Sequence, residues 1–262
     1  MKILCLGDVV GKYGCEAVRN ELPVLKQKYN IDLVIINGEN SAEGNGILPG
    51  SAEHLFTSGA DVITGGNHSF RRREIYDRLD NDLFLLRPAN FPDYAVGHGS
   101  CICDLGKNIV GVINLMGVVY LEPLESPFDV ADREIERLKN LGANIIIVDI
   151  HAEATGEKKS LAHYLDGRVS AVFGTHTHVQ TNDDQILPNG TGYISDIGMC
   201  GPYNSVLGIN PAIAIEKMRT KMPIRFENAV GDCIICGCIF EVDEKSGKTI
   251  FTEKINIKSA ME

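Results

Sequence analysis

The sequence predicts an α/β fold, because short apolar runs alternate with helical patterns along most of its length. The runs rich in Ile, Val and Leu have the length and composition of buried strands, and they cover residues 3–6, 33–36, 62–64, 109–115, 145–150 and 169–173. Helical spacing of apolar residues occurs between several of them, at residues 16–29 (with Pro23 as a candidate break), 50–58, 72–79 and 129–141. This alternation is typical of parallel strands connected by helices.

Beyond about residue 190 the pattern changes to strands separated by glycine-rich turns. These strands are predicted at residues 190–193, 231–241 and 248–257. A second sheet packed on the first would accommodate them. No repeat, low-complexity tract or linker-like run of Pro, Gly or Ser divides the chain. We therefore expect residues 1–262 to form a single domain, a length that one α/β domain can reach.

Composition and charge narrow the class of protein. The chain is 44% hydrophobic and 23% charged, as in ordinary globular proteins. With 25 Lys and Arg against 35 Asp and Glu, the net charge is −10, which argues against a protein that coats the backbone of a nucleic acid. Asp8 interrupts the first apolar run, and no segment reaches the roughly 20 apolar residues that span a bilayer. The sequence predicts a cytoplasmic protein without membrane contact.

The eight cysteines are expected to be reduced thiols, since a chain of this size needs no disulfides for stability. Three of them, Cys233, Cys236 and Cys238, lie close together in a run that is typical of a strand. Alternation along a strand places Cys233 on the opposite face from the other two. This spacing favours small buried hydrophobic residues over a zinc site.

Polar side chains follow five of the predicted strands, at the point where each strand ends. They are Asp8, Glu39 and Asn40, Asn67 and His68, His151, and His176 with His178. Each alone has a simpler interpretation as a turn, cap or core residue. Together they can converge on one crevice, because open α/β sheets bind ligands at the carboxyl ends of their strands. Imidazole, carboxylate and amide oxygen suit divalent Mn, Fe, Zn or Co. On an extended segment, His176 and His178 would project to the same side.

Five motifs resemble, in chain order, the metal motifs of calcineurin-like metallophosphoesterases: Gly7-Asp8, Gly38-Glu39-Asn40, Gly65-Gly66-Asn67-His68, the single His151, and Gly174-Thr175-His176-Thr177-His178. Departures from the superfamily pattern at Val10, Glu39-Asn40 and Ser69, together with the segment 198–202, narrow the resemblance to the bacterial YmdB-type branch. The resemblance covers nearly the whole chain. It implies a four-layer sandwich of two mixed β-sheets flanked by helices.

The resemblance also implies a dinuclear metal centre that hydrolyses phosphodiesters, including 2′,3′-cyclic nucleotides. Carried over by position, its ligands are Asp8, Asn40 and His178 for one metal, Asn67, His151 and His176 for the other, and Glu39 as a bridge between both. Iron or manganese is the expected pair, with zinc, cobalt and magnesium as alternatives. Two divalent cations against two carboxylates leave about +2, which would hold the phosphate and an attacking hydroxide bound to both metals.

His68 is the expected general acid for the leaving oxygen. Adjacent side chains on an extended backbone point apart, so an Asn67 that faces a metal would leave His68 at the rim. The run Arg71-Arg72-Arg73 begins a predicted helix, where positive charge is unfavourable. We hypothesise that one of these arginines contacts the substrate phosphate, although a solvated run is the simpler interpretation.

Two other functions fit the same residues. A phosphomonoesterase acting on nucleotides or phosphoproteins would use the same metals. A regulator that binds metal or nucleotide with little turnover would have no need of a proton donor at His68. The expected partner is a small nucleotide or phosphodiester substrate, with short RNA as an open alternative, and the resemblance implies a homo-oligomer, either a dimer or a tetramer.

Overall fold

The computed structural model describes residues 1–261, which form thirteen strands and six α-helices. The helices are α1 (Gly11–Tyr29), α2 (Pro49–Ser58), α3 (Tyr76–Asn81), α4 (Pro127–Asn140), α5 (Thr155–Leu165) and α6 (Pro211–Thr220). The strands are β1 (Lys2–Leu6), β2 (Asp8–Val9), β3 (Leu33–Asn37), β4 (Val62–Thr64), β5 (Ser100–Asp104), β6 (Ile109–Met116), β7 (Ile145–His151), β8 (Ala171–Thr175), β9 (Gln185–Ile186), β10 (Gly192–Ile194), β11 (Met199–Pro202), β12 (Cys233–Val242) and β13 (Thr249–Ser259).

The strands form two mixed sheets. The first has seven strands in the order β2-β11-β12-β1-β3-β4, with β13 paired along β12, and the second has six in the order β5-β6-β7-β8-β10-β9. In the first sheet β1, β3 and β4 are parallel, and in the second β6, β7, β8 and β10 are parallel. The loops that follow β1, β3, β4, β7 and β8 carry the predicted site residues or directly adjoin them.

Three apolar clusters hold the layers together. One lies between the sheets and combines β1, β3 and β12 with β5, β6, β7 and β8. A second packs α1 and α2 on the outer face of the first sheet, and a third packs α4 and α5 on the outer face of the second. The layers are therefore helix, sheet, sheet and helix, so the predicted α/β sandwich of two mixed sheets is confirmed. The assignment of residues 1–262 to one domain stays a prediction.

The six strands and four helices predicted in the first two thirds of the chain are confirmed, with shifted ends. Helix α1 begins at Gly11, earlier than predicted, and continues through Pro23, which lies on its exposed face. A 3₁₀ turn at Arg73–Ile75 replaces the first turn of the helix predicted over residues 72–79, and α3 follows it.

The expectation that the late strands form a second sheet of their own was wrong. Strands β12 and β13 join the first sheet, and β10 joins the second beside β8. Strand β12 pairs antiparallel with β1 from Lys2 to Leu6 and supplies partners for the edge of β1 that β3 does not use. An unpaired edge there would leave buried backbone groups without hydrogen bonds.

Helices α5 and α6 were not predicted, because neither shows a clear apolar stripe. Helix α5 buries Glu157 and Lys158 beside Leu161, so charged residues occupy part of its inner face. Helix α6 lies on the surface, with Ala214 as its buried residue. Across residues 1–261, no helix combines the length and the apolar character needed to cross a membrane.

The prediction of reduced cysteines is confirmed, since all eight are free and buried. Cys233 packs in the cluster under α1 and α2, whereas Cys238 packs between the two sheets. The strand alternation that places these thiols on opposite faces of β12 is therefore correct.

Candidate metal centre

The predicted site residues lie at one edge of the two sheets and contact one another. Asp8 begins β2 and His151 ends β7, while the others lie in the loops after β3, β4 and β8. They form two groups that meet at Glu39. Asp8 and Glu39 are almost completely buried, with exposed fractions of 0% and 1%.

The first group consists of Asp8, Asn40 and His178. The amide nitrogen of Asn40 lies 3.4 Å from Asp8 Oδ1 and 3.2 Å from His178 Nε2. His178 Nε2 lies 3.6 Å from Asp8 Oδ1. The other ring nitrogen, Nδ1, lies 3.0 Å from the carbonyl oxygen of Leu207 and donates to it, which leaves the lone pair on Nε2 facing the group.

The second group consists of Asn67, His151 and His176. His151 Nε2 lies 2.9 Å from Asn67 Oδ1 and 3.1 Å from His176 Nδ1. Glu39 Oε1 lies 3.3 Å from His151 Nε2 and also accepts a hydrogen bond from the Asn40 amide at 3.0 Å. The carboxylate of Glu39 therefore contacts both groups.

A buried hydrogen-bond chain orients His151. The hydroxyl of Thr175 donates to Asp149 at 2.7 Å, so toward His151 Nδ1, at 2.9 Å, it acts as an acceptor. Nδ1 therefore donates to Thr175, and Nε2 faces Glu39 and Asn67, an orientation common among metal-binding histidines. Asp149 was not predicted from the sequence as a site residue. Its position as a carboxylate inside the apolar run 145–150 could have indicated a buried polar role.

The charges of the site depend on one another. Burial by itself would raise the pKa of Glu39, but His151 and His68 outweigh it and hold that pKa well below its usual range. Burial would likewise raise the pKa of Asp8, and His178 and His151 lower it. In return, burial lowers the pKa of His151, while Glu39 and Asp8 together raise it to about 9. Both carboxyl groups are therefore held ionised.

These residues fit a divalent metal. One donor atom from each of Glu39, His151 and His176 lies within 4.8 Å of the other two. A Cβ atom at Gly66 would lie 2.3 Å from Glu39 Oε2 and 2.4 Å from His151 Nε2, so any other residue there would occupy the space between the donors. Carboxylate, imidazole and amide oxygen form a donor set suited to borderline divalent ions.

The expectation that His176 and His178 lie on an extended segment was wrong. Their φ angles are 98° and 63°, in the left-handed region. The Asp8 carboxylate accepts the backbone N–H of His176 at 3.1 Å and so holds this unusual loop. As a result His176 contacts His151, whereas His178 contacts Asp8.

Asn67 and His68 likewise lie in a turn instead of an extended segment. The backbone N–H of His68 donates to Glu39 Oε2 at 2.9 Å, and this bond keeps the turn at the site. The ring then points back, with Nδ1 2.9 Å from Asn40 Oδ1 and 3.1 Å from Glu39 Oε1. His68 lines a cavity of about 700 Å³ that opens beside the two groups.

Of the three consecutive arginines, Arg72 lines this cavity. Its Nε donates to the carbonyl oxygen of Asn45 at 3.0 Å, which directs the side chain along the cavity wall. The residues described as lining the cavity include neither Arg71 nor Arg73. The hypothesis of an arginine that contacts substrate is therefore narrowed to Arg72.

A buried ion pair that sequence reasoning missed supports the loop after β8. Lys158 of α5 is 1% exposed, and its Nζ donates to Asp196 Oδ2 and to the carbonyl oxygen of Thr175, both at 2.8 Å. The same carboxylate oxygen accepts the N–H of Thr177 at 3.0 Å. The ion pair thus connects α5 to the residue between His176 and His178.

Known proteins resemble this chain along nearly its whole length. The model of the YmdB-like protein family matches residues 4–255. A 2′,3′-cyclic-nucleotide 2′-phosphodiesterase of Bacillus subtilis strain 168 is 44% identical over 257 residues, which cover 98% of this chain and 97% of that protein.

Two solved structures are similar to this chain over nearly its whole length. A crystal structure described as a novel phosphatase of Mycoplasma pneumoniae has a TM-score of 0.93 and 37% identity, covering 99% of this chain and 94% of that one. A 5′-nucleotidase precursor from Thermus thermophilus has a TM-score of 0.62 at 13% identity and covers 99% of this chain and 54% of that one. The second likeness concerns the fold alone.

Replacing Lys158 by Met should lower the free energy of unfolding by about 3 kcal/mol, because Asp196 would be left buried without a cation. Urea unfolding followed by circular dichroism measures the change. The neighbouring Lys159 is the matched control, since its side chain is 47% exposed and lies 3.9 Å from Asp183. Lys159→Met should change stability by less than about 1 kcal/mol. Equal effects of the two substitutions would contradict a structural role for the buried pair.

Proposed function

This chain belongs to the YmdB-like protein family, and from that premise we propose that it is a metal-dependent phosphodiesterase. Its substrates would be 2′,3′-cyclic nucleotides or related small diesters, as the name of the Bacillus subtilis relative suggests. The observation that carries the proposal is the pair of polar groups joined by the buried carboxylate of Glu39, on the wall of a cavity of about 700 Å³. A cavity of this size is ample for a nucleotide.

We assign the ligands according to the two groups: Asp8, Asn40 and His178 to one metal, Asn67, His151 and His176 to the other, and Glu39 to both. The orientations of His151 and His178 support this assignment, because Nδ1 of each ring forms a hydrogen bond outside the group and Nε2 faces the other proposed ligands. Asn40 directs its amide nitrogen toward the group and its oxygen toward His68. A half-turn of the amide would present the oxygen as a ligand.

Divalent metals bound there, with iron or manganese as the proposed pair, would polarise the phosphate and supply a water of lowered pKa as the attacking group. The protein holds the ligands in place through the hydrogen bonds that His151 donates to Thr175 and His178 donates to the carbonyl oxygen of Leu207. Arg72 adds positive charge to the cavity wall. Together these features would give a protein of net charge −10 a local centre that attracts a phosphodiester.

His68 is proposed as the general acid. Hydrolysis forms a bond from the water oxygen to phosphorus and breaks the bond from phosphorus to one ribose oxygen, which must gain a proton as it leaves. Asn40 and Glu39 hold Nδ1 of His68, and Nε2 is free of partners among residues 1–261. Nε2 can therefore give its proton to the leaving oxygen, and the proton released from water restores it.

One alternative is favoured by a specific finding, since the Mycoplasma pneumoniae structure is described as a phosphatase. A phosphomonoesterase would use the same residues. Four further expectations stay predictions: a cytoplasmic location, a homo-oligomeric state, short RNA as a substrate and a regulatory role with little turnover.

Purified protein supplied with Mn²⁺ should hydrolyse 2′,3′-cyclic AMP much faster than adenosine 2′- or 3′-monophosphate. Chromatography of the products, which separates nucleoside from nucleotide, measures both rates. Chelation should abolish the activity and added metal should restore it. Faster release of phosphate from the monophosphates would instead favour the phosphomonoesterase.

Replacing Glu39 by Gln should lower the metal content more than replacing Asn40 by Ala. A neutral amide bridges two cations poorly and leaves their mutual repulsion uncompensated. Elemental analysis of protein purified under identical conditions measures the metal content per chain, expected near two in the unsubstituted protein. If Glu39→Gln keeps as much metal as Asn40→Ala, Glu39 is not a bridge.

Replacing His68 by Ala should slow hydrolysis of a 2′,3′-cyclic nucleotide by about 10² to 10⁴, the usual contribution of general acid catalysis. A bis(4-nitrophenyl) diester should be slowed much less, because nitrophenolate leaves without a proton. Metal content should stay unchanged in this variant. The exposed His163 of α5 provides the control, since His163→Ala should alter neither rate. Equal losses on both substrates, or a loss of metal, would identify His68 as a ligand or a support.

A further inference from the structure

The cavity beside the metal centre continues beyond the groups that would contact phosphate. Its far wall consists of two segments that are distant in sequence, one with Leu207 and Ile209 and the other with Arg225, Phe226 and Asn228. The two segments are bonded to each other, since the backbone N–H of Asn210 donates to the carbonyl oxygen of Glu227 at 2.9 Å and that of Ala229 to Gly208 at 2.9 Å. They form one continuous wall.

This wall is joined to the metal centre at two points. The carbonyl oxygen of Leu207 accepts the hydrogen bond from His178, at 3.0 Å. The side chain of Asn228 packs on Gly11 at the start of α1 and on Gly44 in the loop after β3, so closely that a Cβ atom would lie 2.3 Å from it at Gly11 and 2.5 Å at Gly44. A ligand whose phosphate lies at the metals therefore meets this wall in a defined position.

Phe226 is the aromatic residue of the wall. The residue is 43% exposed, although a large apolar ring is normally more buried. The ammonium group of Lys217 lies over the ring, 4.0 Å from its centre, and so limits the positions that the ring can take. Leu207, 46% exposed, adds a second apolar side chain to the wall. An exposed apolar surface beside the polar groups of the cavity suits a flat aromatic group.

We propose that Phe226 is the stacking surface for the nucleobase of the substrate, an inference that rests on the proposed phosphodiesterase function. The phosphate would lie at the metal centre and the base on the Phe226 ring, with the ribose between them. Stacking on an aromatic side chain accepts any of the bases, because every base has a π-face. Lys217 and Arg225 place two cations beside Phe226, and cations at this position favour an anionic nucleotide over a neutral aromatic compound. Phe226 would thus select nucleotides over small diesters that lack a base.

The test compares two diesters that differ in the base alone: 2′,3′-cyclic AMP and the 2′,3′-cyclic phosphate of 1-O-methylribose. Phe226→Ala should raise KM for cyclic AMP on the order of tenfold, leave kcat nearly unchanged, and leave KM for the abasic diester unchanged. Phe226→Trp should restore the low KM. Phe251→Ala is the matched control, since Phe251 of β13 is 50% exposed and is not among the residues that line the cavity.

An equal rise in KM for both diesters, or no rise for either, would overturn the proposal. If the unsubstituted protein hydrolyses neither diester with metal supplied, the proposed function fails, and calorimetric binding of adenosine 2′-monophosphate then tests the stacking surface alone. Weaker binding to Phe226→Ala than to Phe251→Ala supports a base subsite, and equal binding rejects it.

Discussion

Two ionised carboxylates that are almost completely removed from water determine how this site is built. Asp8 and Glu39 are buried where an isolated charge would be prohibitively costly, so every neighbouring group must compensate them. Imidazoles surround them, and backbone N–H groups of His68 and His176 donate to their oxygens. The turn after β4 and the left-handed loop after β8 are therefore shaped by the same two charges. A divalent metal would extend this compensation with the same donors.

Buried polar residues beneath the site support it through hydrogen bonds and an ion pair. Asp149 accepts hydrogen bonds from Thr64, Thr175 and Asn37 at 2.5 to 3.1 Å, and through Thr175 it orients His151. Burial raises the pKa of Asp149 to about 6 in spite of these bonds. On the other side of Thr175, Lys158 neutralises Asp196. The apolar clusters hold the two sheets together, while these buried networks set the positions of individual ring atoms.

The outer part of the cavity has a different origin. The end of the cavity beside the candidate metal centre is formed by loops that follow parallel strands. The far wall is formed by the segments on either side of α6, which contact that end through Leu207 and Asn228. In the proposed function, chemistry and substrate selection would thus lie on separate parts of the chain. This separation would let Phe226 affect the choice of substrate without contact with the groups proposed to bind metal.

The sequence by itself determined the alternation of strands and helices, the polar residues at the ends of the strands and the family resemblance, because apolar periodicity and short motifs are local properties. It could not determine how β12 and β13 pair, since pairing depends on which edge of β1 remains free. Helix α5 was hidden because Lys158 is buried only through its pairing with Asp196, a residue far along the chain. The directions of His68, His176 and His178 were also decided by tertiary structure, because carboxylates brought from other strands bend the backbone that carries them.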